Sequence, residues 1–498
     1  MMPGMTDRKH SSAGVIAAFV LGASLGPSTL EAKPQLALEP CRIADVDGLT
    51  STAARCGRLS VAEDPADAGG ARIELAIAVV PAVATRARPD PLFLIAGGPG
   101  QGAIQGYAPL LSVFAGVRRE RDLVLVDQRG TGGSNRLDCA MPDDALETGE
   151  MTPAQLAALA RECLAKLPGR PQFYTTSIAV QDLDAVRAAL GYAQVNLYGG
   201  SYGTRVAQHY ARRFPDRTRT VVLDGVVPPT LALGPSIAIE SQRALDRVFA
   251  RCAADTACNA RFPDLPGQFA RIDARLREGP VPVTLPDPVT GESRPVDVTR
   301  THLLTMARML VYSPGAASLL PLLVHEAATG GNYVPLAAQA EMLGDELESM
   351  IAMGMHNSVA CSEDAPRFAG AVERTELETT LMGTLMLDAM EAICDVWPRG
   401  PVDADFGEPL DSAVPALLLS GEFDPATPAS YGEEAAKGFR NGKHVVVPGQ
   451  GHGATRLPCL QRIVRQFVDD GSVSGLDTAC VAEIQPAPFF LSFSGSAP

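Results

Sequence analysis

The chain has 498 residues, more than one ordinary domain holds, with 46% hydrophobic and 20% charged residues. Those fractions exclude a disordered, collagen-like or coiled-coil chain. The 42 Lys and Arg against 57 Asp and Glu leave a formal charge of −15, which argues against nucleic acid or anionic lipid as the partner.

The N-terminus opens with a targeting pattern. Arg8, Lys9 and His10 precede an apolar run over 13–25, and Leu30-Glu31-Ala32 offers a cleavage point with small Ala32 last. The run is shorter than the ~20 residues a spanning helix needs. Residues 1–32 therefore read as a signal peptide, and the expected product is a secreted or periplasmic protein, free of the membrane after processing.

From residue 72 the text alternates short apolar strands with amphipathic helices. Strands are expected at 73–80, 91–96, 122–126, 195–198 and 220–223, and helices at 152–167, 177–190 and 202–214. Runs of this kind, separated by 10–15-residue helices, indicate parallel strands with crossover helices. From 229 to 401 helical text dominates: 236–252, 301–311, 319–328, 333–353 and 373–392, with strand-like text scarce apart from a loop-rich piece at 281–298. Strand text returns at 416–420 and 443–447, followed by a helix at 459–468. The chain is read as an α/β sheet domain (33–228 and 402–498) interrupted by a mainly helical cap insertion (229–401).

The ten cysteines form no Cys-x-x-Cys pair and no zinc-type Cys/His cluster. In an oxidising compartment they are expected as five disulfides between sequence neighbours: Cys41–Cys56, Cys139–Cys163, Cys252–Cys258, Cys361–Cys394 and Cys459–Cys480.

Gly199-Gly200-Ser201-Tyr202-Gly203 sits between an expected strand and an expected helix. Gly-x-Ser-x-Gly in that context forms a sharp turn that pushes the serine out at the sheet edge as a nucleophile. Such a serine needs a base and an orienting carboxylate, following it in the order acid, then His. His452, in the Gly-rich loop after the strand 443–447, is the expected base; His444 lies inside that strand and reads as packing or surface. Asp424, in Gly421-Glu422-Phe423-Asp424-Pro425, is the expected acid, with Glu422 and Asp224 as competitors. The oxyanion donors expected are the backbone N–H groups of Tyr202 and of Gly98, with Gly97 as the neighbour that also qualifies. Gly97–Gly102 lacks the Lys-Ser/Thr or spaced-glycine pattern of a phosphate cradle. Asp127 and Arg129 read as a tie between loops, and Trp397 as a packing anchor beside Cys394.

Gly-Gly-Pro-Gly at 97–100, Asp-Gln-Arg-Gly at 127–130, the Ser201 motif, Gly-Glu-Phe-Asp-Pro at 421–425 and Gly-Gln-Gly-His at 449–452 together resemble the prolyl aminopeptidase family of α/β-hydrolases. The secreted, disulfide-bearing branch that includes tripeptidyl aminopeptidases is the most similar. The resemblance implies an α/β-hydrolase fold with a helical cap, and release of residues from the free N-terminus of short peptides, with Ser201, Asp424 and His452 as triad. Ala96 stands where many prolyl aminopeptidases carry His, so strict prolyl specificity is not implied. An aminopeptidase must bind an ammonium, and Glu363 or Asp364, directly after Cys361, is the expected partner, with Glu240 a weaker candidate. The chemistry requires no metal and no organic cofactor. The same machinery would hydrolyse a carboxylic ester, which is the alternative reading.

Overall fold

The computed structural model describes residues 36–44, 48–139, 142, 144–287 and 290–495; the expected signal peptide lies outside them. Eleven strands are found among these residues: β1 (Glu39–Ala44), β2 (Ser51–Ala62), β3 (Arg72–Val80), β4 (Leu92–Ile95), β5 (Leu123–Val126), β6 (Val195–Gly200), β7 (Thr218–Asp224), β8 (Val281–Pro286), β9 (Ser293–Val298), β10 (Ala416–Gly421) and β11 (Gly442–Val447). Nine of them form one sheet in the order β1-β2-β3-β5-β4-β6-β7-β10-β11. β5 through β11 along that order run parallel, whereas β1, β2 and β3 add antiparallel at one end.

The central strands are buried on both faces, and their sequences are correspondingly continuous: LFLI in β4, LVLV in β5, ALLLSG in β10. Alternate residues serve alternate faces. Phe93, Ile95 and Leu418 pack with helices Thr176–Ala189 and Tyr202–Arg213 on one side. Leu92, Leu94, Leu417 and Leu419 pack with helix Pro458–Asp470 on the other. The parallel strands all end at one edge, where crossover connections leave loops free to carry side chains.

The helices of 229–401 build a separate apolar core from Leu245, Phe249, Leu303, Leu323 and Leu336, with hairpin β8–β9 against it. The segment after Met350 behaves differently. Helix Met353–Val359 turns back onto the sheet, and Ala352, Met355 and Val359 enter the same cluster as the strands.

Three details depart from the sequence reading. β1 and β2 were not expected, because STAARCGRLSVA has few β-branched or aromatic residues. Pairing with β3 and the Cys41–Cys56 disulfide hold them. The strand-like, loop-rich piece at 281–298 is, in keeping with the sequence, a two-stranded antiparallel hairpin. The expected helix 333–353 ends at Met350. The helix expected at 373–392 is two helices, Arg374–Leu377 and Leu385–Cys394, separated around Gly383 at φ 56°.

All five cysteine pairs are disulfides as expected, with Cα–Cα distances of 5.8, 5.4, 5.2, 4.9 and 5.9 Å in chain order. They fit an extracellular protein. No described helix is long and apolar enough to cross a membrane.

Candidate active site

β6 runs into Ser201, whose backbone sits at φ 54°, ψ −126°, and helix Tyr202–Arg213 starts at the next residue. A non-glycine residue at positive φ is strained, and the strain is maintained by its surroundings. The Ser201 N–H donates to the Asp224 carbonyl at 2.9 Å. The flanking glycines are steric requirements: a Cβ on Gly199 would collide with the Gly203 carbonyl, and one on Gly203 with the Ile95 carbonyl. Strand, turn and helix therefore pack too closely for any side chain at either position.

His452 lies on the loop after β11. Its N–H donates to the Tyr312 carbonyl at 2.8 Å, and the Tyr312 ring meets the imidazole edge-on, 5.3 Å between centroids. Nδ1 is 2.8 Å from Asp424 Oδ2 and 3.1 Å from Thr427 Oγ1. Asp424, buried at the end of β10, accepts from the Ala426 and Thr427 N–H groups through Oδ1 and from the Thr427 hydroxyl through Oδ2. An acceptor-only carboxylate on Nδ1 makes Nδ1 the protonated nitrogen and leaves Nε2 unprotonated, able to accept a proton. Burial opposes a charged ring at His452, but the charge and hydrogen bond of Asp424 outweigh it, and the ring's pKa is raised above its ordinary value.

The end of β7 links Ser201 to His452. Asp224 takes the Ser201 N–H on its carbonyl, and a Cβ on the adjacent Gly225 would stand 2.9 Å from His452 Cε1. The Asp224 carboxylate is fully used: it accepts from the N–H groups of Ala454 and Thr455, the Thr455 hydroxyl and the Tyr198 hydroxyl. It anchors the His452 loop, and Asp424 is the carboxylate on the imidazole. Glu422 is occupied by the Gly449 N–H.

The loop 97–100 lies against the elbow, since a Cβ on Gly97 would be 3.0 Å from Ser201 Cβ. Gly98 has φ 103°, and its N–H has no protein acceptor among the described residues. The other donor expected, Tyr202 N–H, is at the first position of its helix, where N–H groups have no intrahelical carbonyl. Residues 351–356 clamp this loop. The Ala352 N–H donates to the Gly100 carbonyl at 3.0 Å, and Ile351 packs against Gly98 and Gly100.

The comparisons with known proteins bear on the fold and the enzyme class. The family described as alpha/beta hydrolase fold matches residues 90–261, and the TAP-like protein family matches residues 379–480. The chain is a serine hydrolase of the α/β-hydrolase fold. A tripeptidyl aminopeptidase of Streptomyces coelicolor is 26% identical over 470 residues, covering 87% of this chain and 84% of its own. The serine protease Hip1 of Mycobacterium tuberculosis is 26% identical over 479 residues, with 89% and 90% covered. A carboxylesterase B of Mycobacterium tuberculosis is 26% identical over 499 residues, with 92% of each chain covered.

The amine-binding candidates of this hydrolase fare unequally. Glu363 accepts from the Thr176 N–H at 2.5 Å and the Thr176 hydroxyl at 2.9 Å, and its side chain is fully buried. Asp364 faces Arg205 Nη1 at 2.9 Å and also accepts from the Leu233 N–H. Both carboxylates are consumed inside the protein, so the expectation that either meets a substrate ammonium is corrected. Glu240 lies on helix Ile237–Ala254, which reaches the Asp424 loop through Arg247 and the Glu422 carbonyl. Arg243 holds one Glu240 oxygen at 2.7 Å.

Arg129 and Asp127 are structural, as expected. Arg129 forks onto Asp182 at 2.6 and 2.8 Å, and Asp127 accepts from the Ile104 and Gly133 N–H groups. The Trp397 Nε1–H donates to Ser358 Oγ beside the Cys361–Cys394 bridge. A cavity of about 380 Å³ lined by Met151, Arg277, Arg300, Leu381 and Met382 lies in the helical region and touches none of the triad candidates. Sequence reasoning missed Thr427, Tyr312, Thr176 and Ile351. Thr427 was readable as the closing residue of an aspartate turn; the other three act through contacts between distant segments that carry no local signature.

Proposed function

We propose that this hydrolase is an exported aminopeptidase that releases one to three residues from the free N-terminus of short peptides. Ser201 is the nucleophile, His452 the general base and acid, and Asp424 the orienting carboxylate. The observation that carries the catalytic assignment is the Asp424–His452 Nδ1 bond, at the strand edge that also holds the strained Ser201 turn. The likeness to a tripeptidyl aminopeptidase and a serine protease supports peptides as substrate. The likeness to a carboxylesterase supports ester hydrolysis as the second reading. The apolar run over 13–25 and the five disulfides support export.

In this mechanism Ser201 Oγ attacks the carbonyl carbon while His452 Nε2 takes its proton. Asp424 stabilises the imidazolium that forms without becoming protonated itself. The Gly98 and Tyr202 N–H groups hold the oxyanion, each worth about 3 kcal/mol in comparable sites. His452 then protonates the leaving amine, and water, activated by the same imidazole, hydrolyses the acyl-enzyme. Glu240, on the helix whose Arg247 reaches the Asp424 loop, is the carboxylate proposed to meet the substrate ammonium.

The test is a panel of chromogenic amides carrying one, two or three residues, each with a free or blocked N-terminus, beside a simple acyl ester. Cleavage of free-amine amides alone, abolished in Ser201→Ala, supports the aminopeptidase. Ester turnover without amide cleavage rejects it. Retained discrimination between free and blocked amides in Glu240→Gln rejects the amine site alone.

A further inference from the structure

Three buried side chains link the turn at Glu363 to the residue that follows the proposed nucleophile. The Tyr202 hydroxyl lies 2.5 Å from Thr176 Oγ1, and Thr176 Oγ1 lies 2.9 Å from Glu363 Oε2. Tyr202, Thr176 and Glu363 are 1%, 0% and 3% exposed, so bulk water does not compete for these bonds. We propose that Glu363 is a positioning residue, which through the Thr176 hydroxyl fixes the Tyr202 side chain and thereby the Tyr202 peptide N–H that holds the oxyanion. This rests on the reading of Ser201 as nucleophile.

The direction of the chain follows from its end. An ionised carboxylate accepts and cannot donate, so the Thr176 hydroxyl must donate to Glu363 and must accept from the Tyr202 hydroxyl. Burial, and then the charge of Glu363, raise the Tyr202 phenol well above its ordinary range, which keeps it a donor. With Glu363 ionised, the chain has one polarity and Tyr202 one preferred seat. A proton on Glu363 makes it a donor as well. Thr176 is then no longer forced to accept from Tyr202, and the tyrosine loses its fixed partner. Such chains act as a unit in a low-dielectric interior.

Glu363 is itself held rigidly. Its Oε1 takes the Thr176 N–H, its neighbour Asp364 is paired with Arg205, and Cys361 is bridged to Cys394. The charged and titratable groups that face it are Arg205, at 3.9 Å, and Tyr202 from helix Tyr202–Arg213, with Asp364 and Arg367 from its own segment. Burial pushes its carboxyl up to about 7, against the opposing pull of Arg205. That lies in the range over which a histidine-based hydrolase works.

The experiment is the pH profile of kcat on the chromogenic amide that the wild type cleaves best. Two groups, His452 and Glu363, must then lose protons for full activity, so the acid limb of log kcat is steeper than one where Glu363 titrates, by about half a unit for a tenfold effect. Glu363→Gln and Tyr202→Phe each reduce that slope to one, lower kcat at the optimum by about tenfold, and leave KM within about twofold. Thermal melting of each variant reports that it is folded. If Glu363→Gln fails to fold, Tyr202→Phe decides, because it keeps every partner of Glu363. A wild-type slope of one, or an unchanged slope and kcat in Tyr202→Phe, overturns the proposal. Full activity of Ser201→Ala instead overturns the nucleophile reading, and is measured separately on the same substrate.

Discussion

Two regions of this hydrolase bury carboxylates, and they use them in opposite ways. At the strand edge, Asp424 spends one oxygen on two backbone N–H groups and gives the other to the Thr427 hydroxyl and the His452 ring. At the turn 363–364, every partner is internal and fixed: Thr176 for Glu363, and Arg205, Leu233 and Arg367 for Asp364. His452 keeps 16% side-chain exposure while Glu363 and Asp364 have none. A buried acid beside a partly open titratable ring is poised for chemistry; one buried against arginine and backbone holds elements together.

The largest expected effect follows from exchanging each carboxylate for its amide. Asp424→Asn leaves the fold intact but offers the wrong hydrogen-bond partner to Nδ1, and kcat falls by about 10⁴. Asp364→Asn removes the close carboxylate from buried Arg205, which keeps the Leu231 carbonyl at 2.7 Å and the Glu363 carboxylate at 3.9 Å. Breaking a buried pair costs about 3–5 kcal/mol, so the loss appears in the urea midpoint, with kcat per folded molecule within about tenfold of wild type. If Asp424→Asn instead lost stability and kept its kcat, the contrast between the two regions would be wrong.

Most of the strand edge was legible from sequence, for a physical reason. The turn glycines, the aspartate turn and the glycine-flanked histidine are local requirements, so each leaves a mark within five residues of itself. The parallel strands were equally legible, because burial on both faces demands continuous apolar text. Glu363 and Asp364 were misread because an acidic pair after a cysteine looks the same whether solvent, substrate or Arg205 faces it. Asp224 and Asp424 both follow strands, and only the bonds from Ala454, Thr455 and Tyr198 show which one is already occupied. β1 and β2 were missed because their pairing is held by neighbours rather than by propensity.

A smaller effect distinguishes the disulfides. Cys361–Cys394 spans 33 residues and Cys252–Cys258 spans 6. The chain-entropy account assigns the longer loop about 4 kcal/mol and the shorter about 2. Double Ser variants compared by urea unfolding are expected in that order. Because the longer bridge also supports the turn that carries Glu363, its loss lowers kcat as well, whereas loss of Cys252–Cys258 does not. Equal kcat values in the two variants would detach the turn from the strand edge.

The smallest effect is in pH dependence, and it ties activity to stability. The folded pKa of His452 is raised above its unfolded value of about 6.5 by Asp424, despite burial. The stabilisation from the charged pair is therefore fully present below pH ~6.5 and is lost as pH rises through the folded pKa. The base, however, works only when neutral, so kcat/KM rises over that same interval. Glu363 adds to the trend: a carboxyl raised to about 7 by burial also withdraws stability as pH climbs from about 4.5 towards that value. The enzyme is thus expected to gain activity while the contributions of both groups to its stability decline. Unfolding midpoints and kcat/KM measured in parallel from pH 5 to about 8 check this, with Asp424→Asn flattening the His452 part of the stability slope. If stability from these sites rose with pH instead, the charges assigned to His452 and Glu363 in the folded protein would be wrong.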